Sequence, residues 1–181
     1  MKLVHIPAVT ALAVALAVAL AGAGAPAPQP RLTDAEIAHI AVTANQLGVT
    51  AAELALEKSR QPDVRAFAET MIRDHEAVIG QAAALAERLG VTPEDNETSR
   101  GLASTAEATL ERLDGLDGAA FDLAYVENEV TYHEAVIAAV EDTLIPNTSN
   151  QELKELLQSV LPALEAHREH AERLVGELRG G

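Results

Sequence analysis

The sequence predicts an all-α fold, a ferritin-like four-helix bundle with a long, partly helical connection between its second and third main helices. Three observations point to the helical class. Apolar residues recur at three- and four-residue intervals over long stretches, strand-like alternation is missing, and Ala, Leu and Glu dominate a 181-residue chain that is 48% hydrophobic. Such a length supports one domain with a sizeable core. Aromatic residues are few, namely Phe67, Phe121, Tyr125 and Tyr132.

The first helix is expected from about residue 34 to 60. It opens on Thr33-Asp34-Ala35-Glu36, a capping box in which hydroxyl and carboxylate satisfy the free amides of a helix start. Ile37, Ile40, Ala44, Leu47, Ala51 and Leu54 form one apolar stripe, and Val42, Val49 and Leu56 a second, so this helix should pack against two neighbours. Pro62 ends it and suits the first turn of the next helix, which runs to Leu89 with Gly90 as its C-terminal cap. A polar stretch over 91–96 and a weaker helical segment over about 97–113 follow, then a turn at 114–118. The third main helix spans about 119–144 and is closed by Pro146-Asn147-Thr148. Ser149-Asn150-Gln151-Glu152 has the form of a second capping box and opens a helix over about 150–178, within which Pro162 should produce a bend.

Residues 1–23 read as an export signal: Lys2 and His5, an apolar run from Ala8 to Ala21, and small residues permitting cleavage after Ala23. Cleavage after Ala25 would place Pro26 next to the cut. The competing reading is an uncleaved membrane anchor, which calls for about 20 apolar residues. Residues 24–32 form a Pro/Ala/Gly-rich flexible spacer, leaving 33–179 as the bundle domain in a periplasmic or secreted protein. The chain has no cysteine, so core packing alone must hold it together. Its 13 basic against 28 acidic residues, net charge −15, exclude a nucleic-acid partner of the usual phosphate-binding kind.

One residue breaks the apolar pattern in an informative way. His75 lies on the stripe Val64, Phe67, Ala68, Met71, Val78, Ala82, Leu85 and Leu89, so its imidazole faces the core and needs a buried partner or a metal. If the 91–118 segment crosses the bundle, then His75, His133 and His167 lie about 20, 21 and 17 Å below one end, within a single turn. With simple alternation the depths become about 20, 16 and 25 Å. Glu129 precedes His133 by four residues and can share its helix face, which makes His75, His133, His167 and Glu129 the candidate metal ligands. Glu53, about two turns nearer the top, is the outer-shell candidate. Such a donor set suits zinc, copper or iron.

The motifs Glu53-Leu54-Ala55-Leu56-Glu57-Lys58, Pro62-Asp63-Val64-Arg65-Ala66-Phe67-Ala68, Met71-Ile72-Arg73-Asp74-His75, Val91-Thr92-Pro93-Glu94-Asp95-Asn96, Phe121-Asp122-Leu123-Ala124-Tyr125 and Asn128-Glu129-Val130-Thr131-Tyr132-His133 resemble the exported, ferritin-like family known as domain of unknown function 4142. The resemblance spans about residues 34–175. It implies a four-helix bundle with the crossing connection, and no established activity. A di-iron site of the ferritin kind needs a Glu-x-x-His pair on each of two helices. Here Glu36-Ile37-Ala38-His39 is the sole example, and Glu36 serves the capping box.

Other charges and rings receive ordinary expectations: Asp74 and Asp122 pair with Arg65, Arg73 or Arg112 at the surface, Tyr125 and Tyr132 pack in the core, and His170 faces solvent. No nucleophile with a base and no phosphate-binding loop is visible, so no catalytic residue is assigned. The sequence thus leaves a metal-binding bundle, a non-catalytic envelope structural or interaction protein whose histidines are buried hydrogen-bonding groups, and a metal-dependent oxidoreductase.

Overall fold

The computed structural model describes residues 31–180, and the export signal and most of the spacer expected from the sequence lie outside them. Five long helices account for the domain: α1 (Asp34–Lys58), α2 (Pro62–Leu89), α3 (Glu97–Asp114), α4 (Gly118–Ala139) and α5 (Gln151–Gly180). Three of the starts are capped by their own residues. The Thr33–Glu36 box caps α1, the Gln61 side chain and Pro62 open α2, and a second box formed by Asn96 and Ser99 opens α3. Gly90 ends α2 at φ 64°, a left-handed conformation that glycine adopts without steric cost.

Two sequence expectations are corrected here. No box joins Ser149 to Glu152. Instead Asn150 Oδ1 accepts from the Leu153 amide at 3.0 Å, while Asp34 takes the amides of Ser149 and Asn150 from across the bundle. The end of α4 is also less regular than a simple stop. Pro146 cannot donate to the carbonyl four residues back, and the chain widens into a π turn over Val140–Leu144 before a last turn at Ile145–Asn147. Pro162 lies inside α5 and does not divide it.

The connection crosses the bundle. Glu94 N–H donates to Ala35 O, and Asn96 Nδ2 donates to Glu36 O, so α3 begins beside the start of α1. Lys58 pairs with Asp114 and Asp117, which brings the end of α3 to the end of α1. α2 and α4 therefore start at the same end and run parallel, and α5 runs parallel to α1. This is the more clustered of the two arrangements considered for the histidines.

Two apolar cores divide the domain along its length. Toward the end where α2 and α4 begin lie Ala52, Ala55, Val64, Phe67, Ala68, Met71, Leu113, Phe121, Tyr125, Val126 and Ala171, all at 0% exposure. Toward the other end lie Ile37, Ile40, Leu85, Val140, Leu144, Leu153, Leu157 and Leu164. Between them sits a polar layer.

Candidate metal centre

That layer contains three buried histidines from three helices. His75 comes from α2, His133 from α4 and His167 from α5, with exposures of 3%, 0% and 6%. Ring centroids are 5.8, 5.5 and 5.3 Å apart, and one ligand nitrogen from each ring falls within 4.8 Å of the others. α1 permits this approach because residue 48 is glycine. A Cβ at that position would sit 2.8 Å from both Cδ2 and Nε2 of His75.

The tautomer of each ring follows from what it touches. The Asn45 amide donates its NH2 to Ala41 O at 2.8 Å, which turns Oδ1 toward His75 Nδ1, also at 2.8 Å. An oxygen there can only accept, so Nδ1 carries the proton and Nε2 the lone pair. His133 Nδ1 lies 2.9 Å from the Glu129 carbonyl, again an acceptor, and its Nε2 is left basic. His167 Nε2 donates to Asp74 Oδ2 at 3.0 Å, and here Nδ1 is basic. These three basic nitrogens, His75 Nε2, His133 Nε2 and His167 Nδ1, are buried and have no hydrogen-bond partner. They are also the nitrogens free to coordinate an ion.

Burial keeps the rings in the form a metal requires. It holds His75 down to about 3, with repulsion from His133 and His167 adding to the effect. His133 is held at about 4 by burial, against the opposing hydrogen bond to the Glu129 carbonyl. The Asp74 carboxyl is lowered: burial opposes ionisation, but hydrogen bonds from Arg73 and His167 and their charges outweigh it. His75 and His133 are thereby held neutral, and each of the three rings has one nitrogen anchored on an oxygen, as around a histidine-ligated ion.

The structure brings together His75, His133 and His167 and sets the other two candidates apart. Glu129 is 1% exposed, and its Oε2 lies 3.6 Å from His133 Nδ1, the nitrogen already turned away from the centre. Its carboxylate is thus beside the ring and outside the converging group. Burial raises its pKa to about 8, and neither oxygen has a hydrogen-bond partner. Glu53 is exposed, because the face of α1 toward the core consists of Ala44, Gly48, Ala51, Ala52 and Ala55. The outer positions belong to Asn45 and Asp74. Asp74 does pair with Arg73 as expected, at 2.8 Å, and contacts His167 as well. Asp122 proves to be buried, with Oδ1 unpartnered. His170, expected in solvent, is partly buried with its ring edge-on to Phe67 at 5.1 Å, and His39 Nδ1 lies 3.4 Å from the Thr43 hydroxyl. Tyr132 donates to Ala44 O at 2.7 Å, while the Tyr125 hydroxyl is buried without a partner.

Two crystal structures share this fold. One is a DUF305 protein from Streptomyces coelicolor, described as secreted, with a TM-score of 0.68 and 14% identity over 80% of this chain and 93% of that one. The other is a DUF305 fragment from Deinococcus radiodurans, with a TM-score of 0.68 and 19% identity over 82% of this chain and 99% of that one. At such identities the likeness is one of fold alone. No curated protein sequence matches significantly. The model of one family, the domain of unknown function DUF4142, covers residues 19–174, and the chain belongs to that family.

Proposed function

We propose that this protein is an exported, ferritin-like helical bundle that binds one transition-metal ion, zinc, copper or iron, through His75 Nε2, His133 Nε2 and His167 Nδ1. The observation that carries the reading is the gathering of three buried histidines from three helices, one ligand nitrogen of each within 4.8 Å of the others, with one nitrogen of every ring held by a separate oxygen. Leaving buried acceptors unpartnered costs about 1–3 kcal/mol each, and one cation would satisfy all three. The donor set is all imidazole, which suits zinc, copper or iron and differs from the carboxylate-rich di-iron sites of ferritins. Storage, sensing or delivery of the ion in the cell envelope fits such a centre. Export is supported by the apolar N-terminal run.

The alternative, a non-catalytic envelope protein in which the histidines are structural hydrogen-bonding groups, accounts for Asn45, the Glu129 carbonyl and Asp74. It leaves the three inner nitrogens unexplained. Elemental analysis of natively purified protein separates the readings. Near-unit stoichiometry is expected, with loss of metal in His75→Ala and in His133→Ala; a metal-free protein that stays so after incubation with zinc, copper and iron salts would overturn the proposal.

A further inference from the structure

On one side of the histidine layer the bundle is hollow. A cavity of about 490 Å³ lies among α1, α2, α4 and α5 and beneath α3. Its wall follows α2 from His75 to Leu89 and α5 from His167 to Leu153. Each stretch advances fourteen residues, or about 21 Å. That run is long enough to lay out one extended hydrocarbon chain.

The wall changes character along its length. Val78, Ala82, Leu85, Leu102, Val160 and Leu164 make its middle aliphatic, whereas His75 and His167 stand at one end with unpartnered nitrogens beside Asn45, Asp74 and Glu129, and Asp34 and Asn150 lie toward the other. Covering it is α3, whose residues Ser99 and Leu113 are its buried anchors. Between those anchors α3 offers Leu102, Ala106, Thr109 and Leu110 to the cavity. An apolar chamber of this size with a few polar groups is the usual form of a small-molecule site.

We infer that the cavity takes one long-chain fatty acid, its chain along the aliphatic wall and its carboxylate at the histidine end as a further ligand to the metal. The inference rests on the metal-binding reading above. Without an ion, the basic nitrogens offer an ionised carboxylate no donor, and only the protonated acid could hydrogen-bond to them. With one, three neutral imidazoles leave the ion's charge uncompensated and a coordination position available for an anionic oxygen. Fatty-acid binding should therefore depend on metal.

The test uses palmitate below its micellar concentration, with calorimetry on protein whose zinc content has first been measured. We expect one palmitate per zinc-loaded chain and at least tenfold weaker binding to the zinc-free chain. Ala82→Phe and Val160→Phe each lie seven residues from a histidine and fill the cavity from opposite helices. Either variant, once circular dichroism verifies its fold, should keep zinc and lose palmitate. Equal binding with and without zinc, undiminished binding by both filled variants, or a zinc-loaded chain that ignores palmitate would overturn the inference. A chain that takes up none of zinc, copper and iron removes the metal-binding reading as well, and the elemental measurement reveals that before any palmitate is added; a chain that takes copper or iron instead of zinc is tested with that ion.

Discussion

The two halves of the bundle are built to different standards, and the histidine layer marks the boundary. On one side Phe67, Phe121 and Tyr125 pack at 0% exposure, with Phe121 and Tyr125 stacked and Phe67 edge-on to Tyr125. On the other, no aromatic residue joins the core cluster, and the aliphatic side chains surround a cavity. A close-packed interior fixes side chains in place, whereas a loose one leaves room for a guest. The difference suggests that one half holds the histidine rings in register and the other gives access to them.

The strongest contrast should appear on truncating the two cores. Phe67→Ala is expected to destabilise by about 3–5 kcal/mol, since a rigid, filled site cannot collapse around the gap. Leu157→Ala opens into space already present, and its cost should fall near the low end of the usual range, about 2 kcal/mol. Urea midpoints at constant m-value would measure both. Equal losses would mean that the halves are packed alike.

Acidity probes the boundary itself. In the metal-free protein, unfolded histidines titrate near 6.5, while folded His75 and His133 titrate at about 3 and about 4. The unfolded chain therefore binds more protons below 6.5, and stability present above that pH is lost as it falls toward 3. Glu129 has the opposite sign: its folded value is about 8 against an ordinary 4.5, so its contribution is complete below 4.5 and is lost as pH rises through 8. Two histidines outweigh one carboxyl between 4.5 and 6.5, and only the carboxyl acts above 6.5. The melting temperature of the metal-free protein should peak near pH 6.5, and Glu129→Gln should flatten the alkaline side and steepen the fall between pH 6.5 and 4.5. A decline above pH 6.5 that persists in Glu129→Gln would assign the effect to another group.

Gly48 tests how tightly α1 holds the layer. Alanine gains about 1 kcal/mol of helix propensity over glycine at an interior position, yet its Cβ would meet the His75 ring at 2.8 Å. The ring must move, and Nε2 with it. Metal affinity in Gly48→Ala should drop about 10- to 100-fold, the range seen when support around a ligating histidine is lost. Competition with a chromophoric chelator would read it, with unfolding measured alongside to show that the fold persists.

The helices and the buried stripe on α2 were legible from periodicity, because a seam of Val64, Phe67, Met71, Ala82 and Leu85 leaves His75 no other direction to face. The heights of His133 and His167 followed from helix rise once the crossing connection was assumed. Glu129 was misplaced for a local reason. A spacing of four puts Glu129 and His133 on one face, but His133 turns Nδ1 back onto the Glu129 carbonyl of its own helix, so the free nitrogen points elsewhere. Asn45 and Asp74 carried no signal of their own. Each is an ordinary polar residue until the rotation of one helix against another brings it to a histidine. The cavity was equally hidden, since apolar spacing is the same on both sides of the layer and only side-chain volume in three dimensions separates them.

The smallest expected effect concerns the two ends of the molecule. Lys58 closes the packed end, its side chain 15% exposed and within reach of both Asp114 and Asp117. Arg88 reaches Glu152 at the hollow end with side chains 59% and 50% exposed, a geometry in which solvent screens the pair and both partners lose rotamer freedom. Arg88→Ala should therefore cost about half a kcal/mol or less. Lys58→Ala should lower the urea midpoint further, because it removes a largely buried side chain whose ammonium stands 5.9 Å over the Phe121 ring and donates to the Asp114 carbonyl. Raising salt should narrow the gap only slightly if packing dominates at Lys58. A gap that vanishes at high salt would show that charge alone distinguishes the two ends.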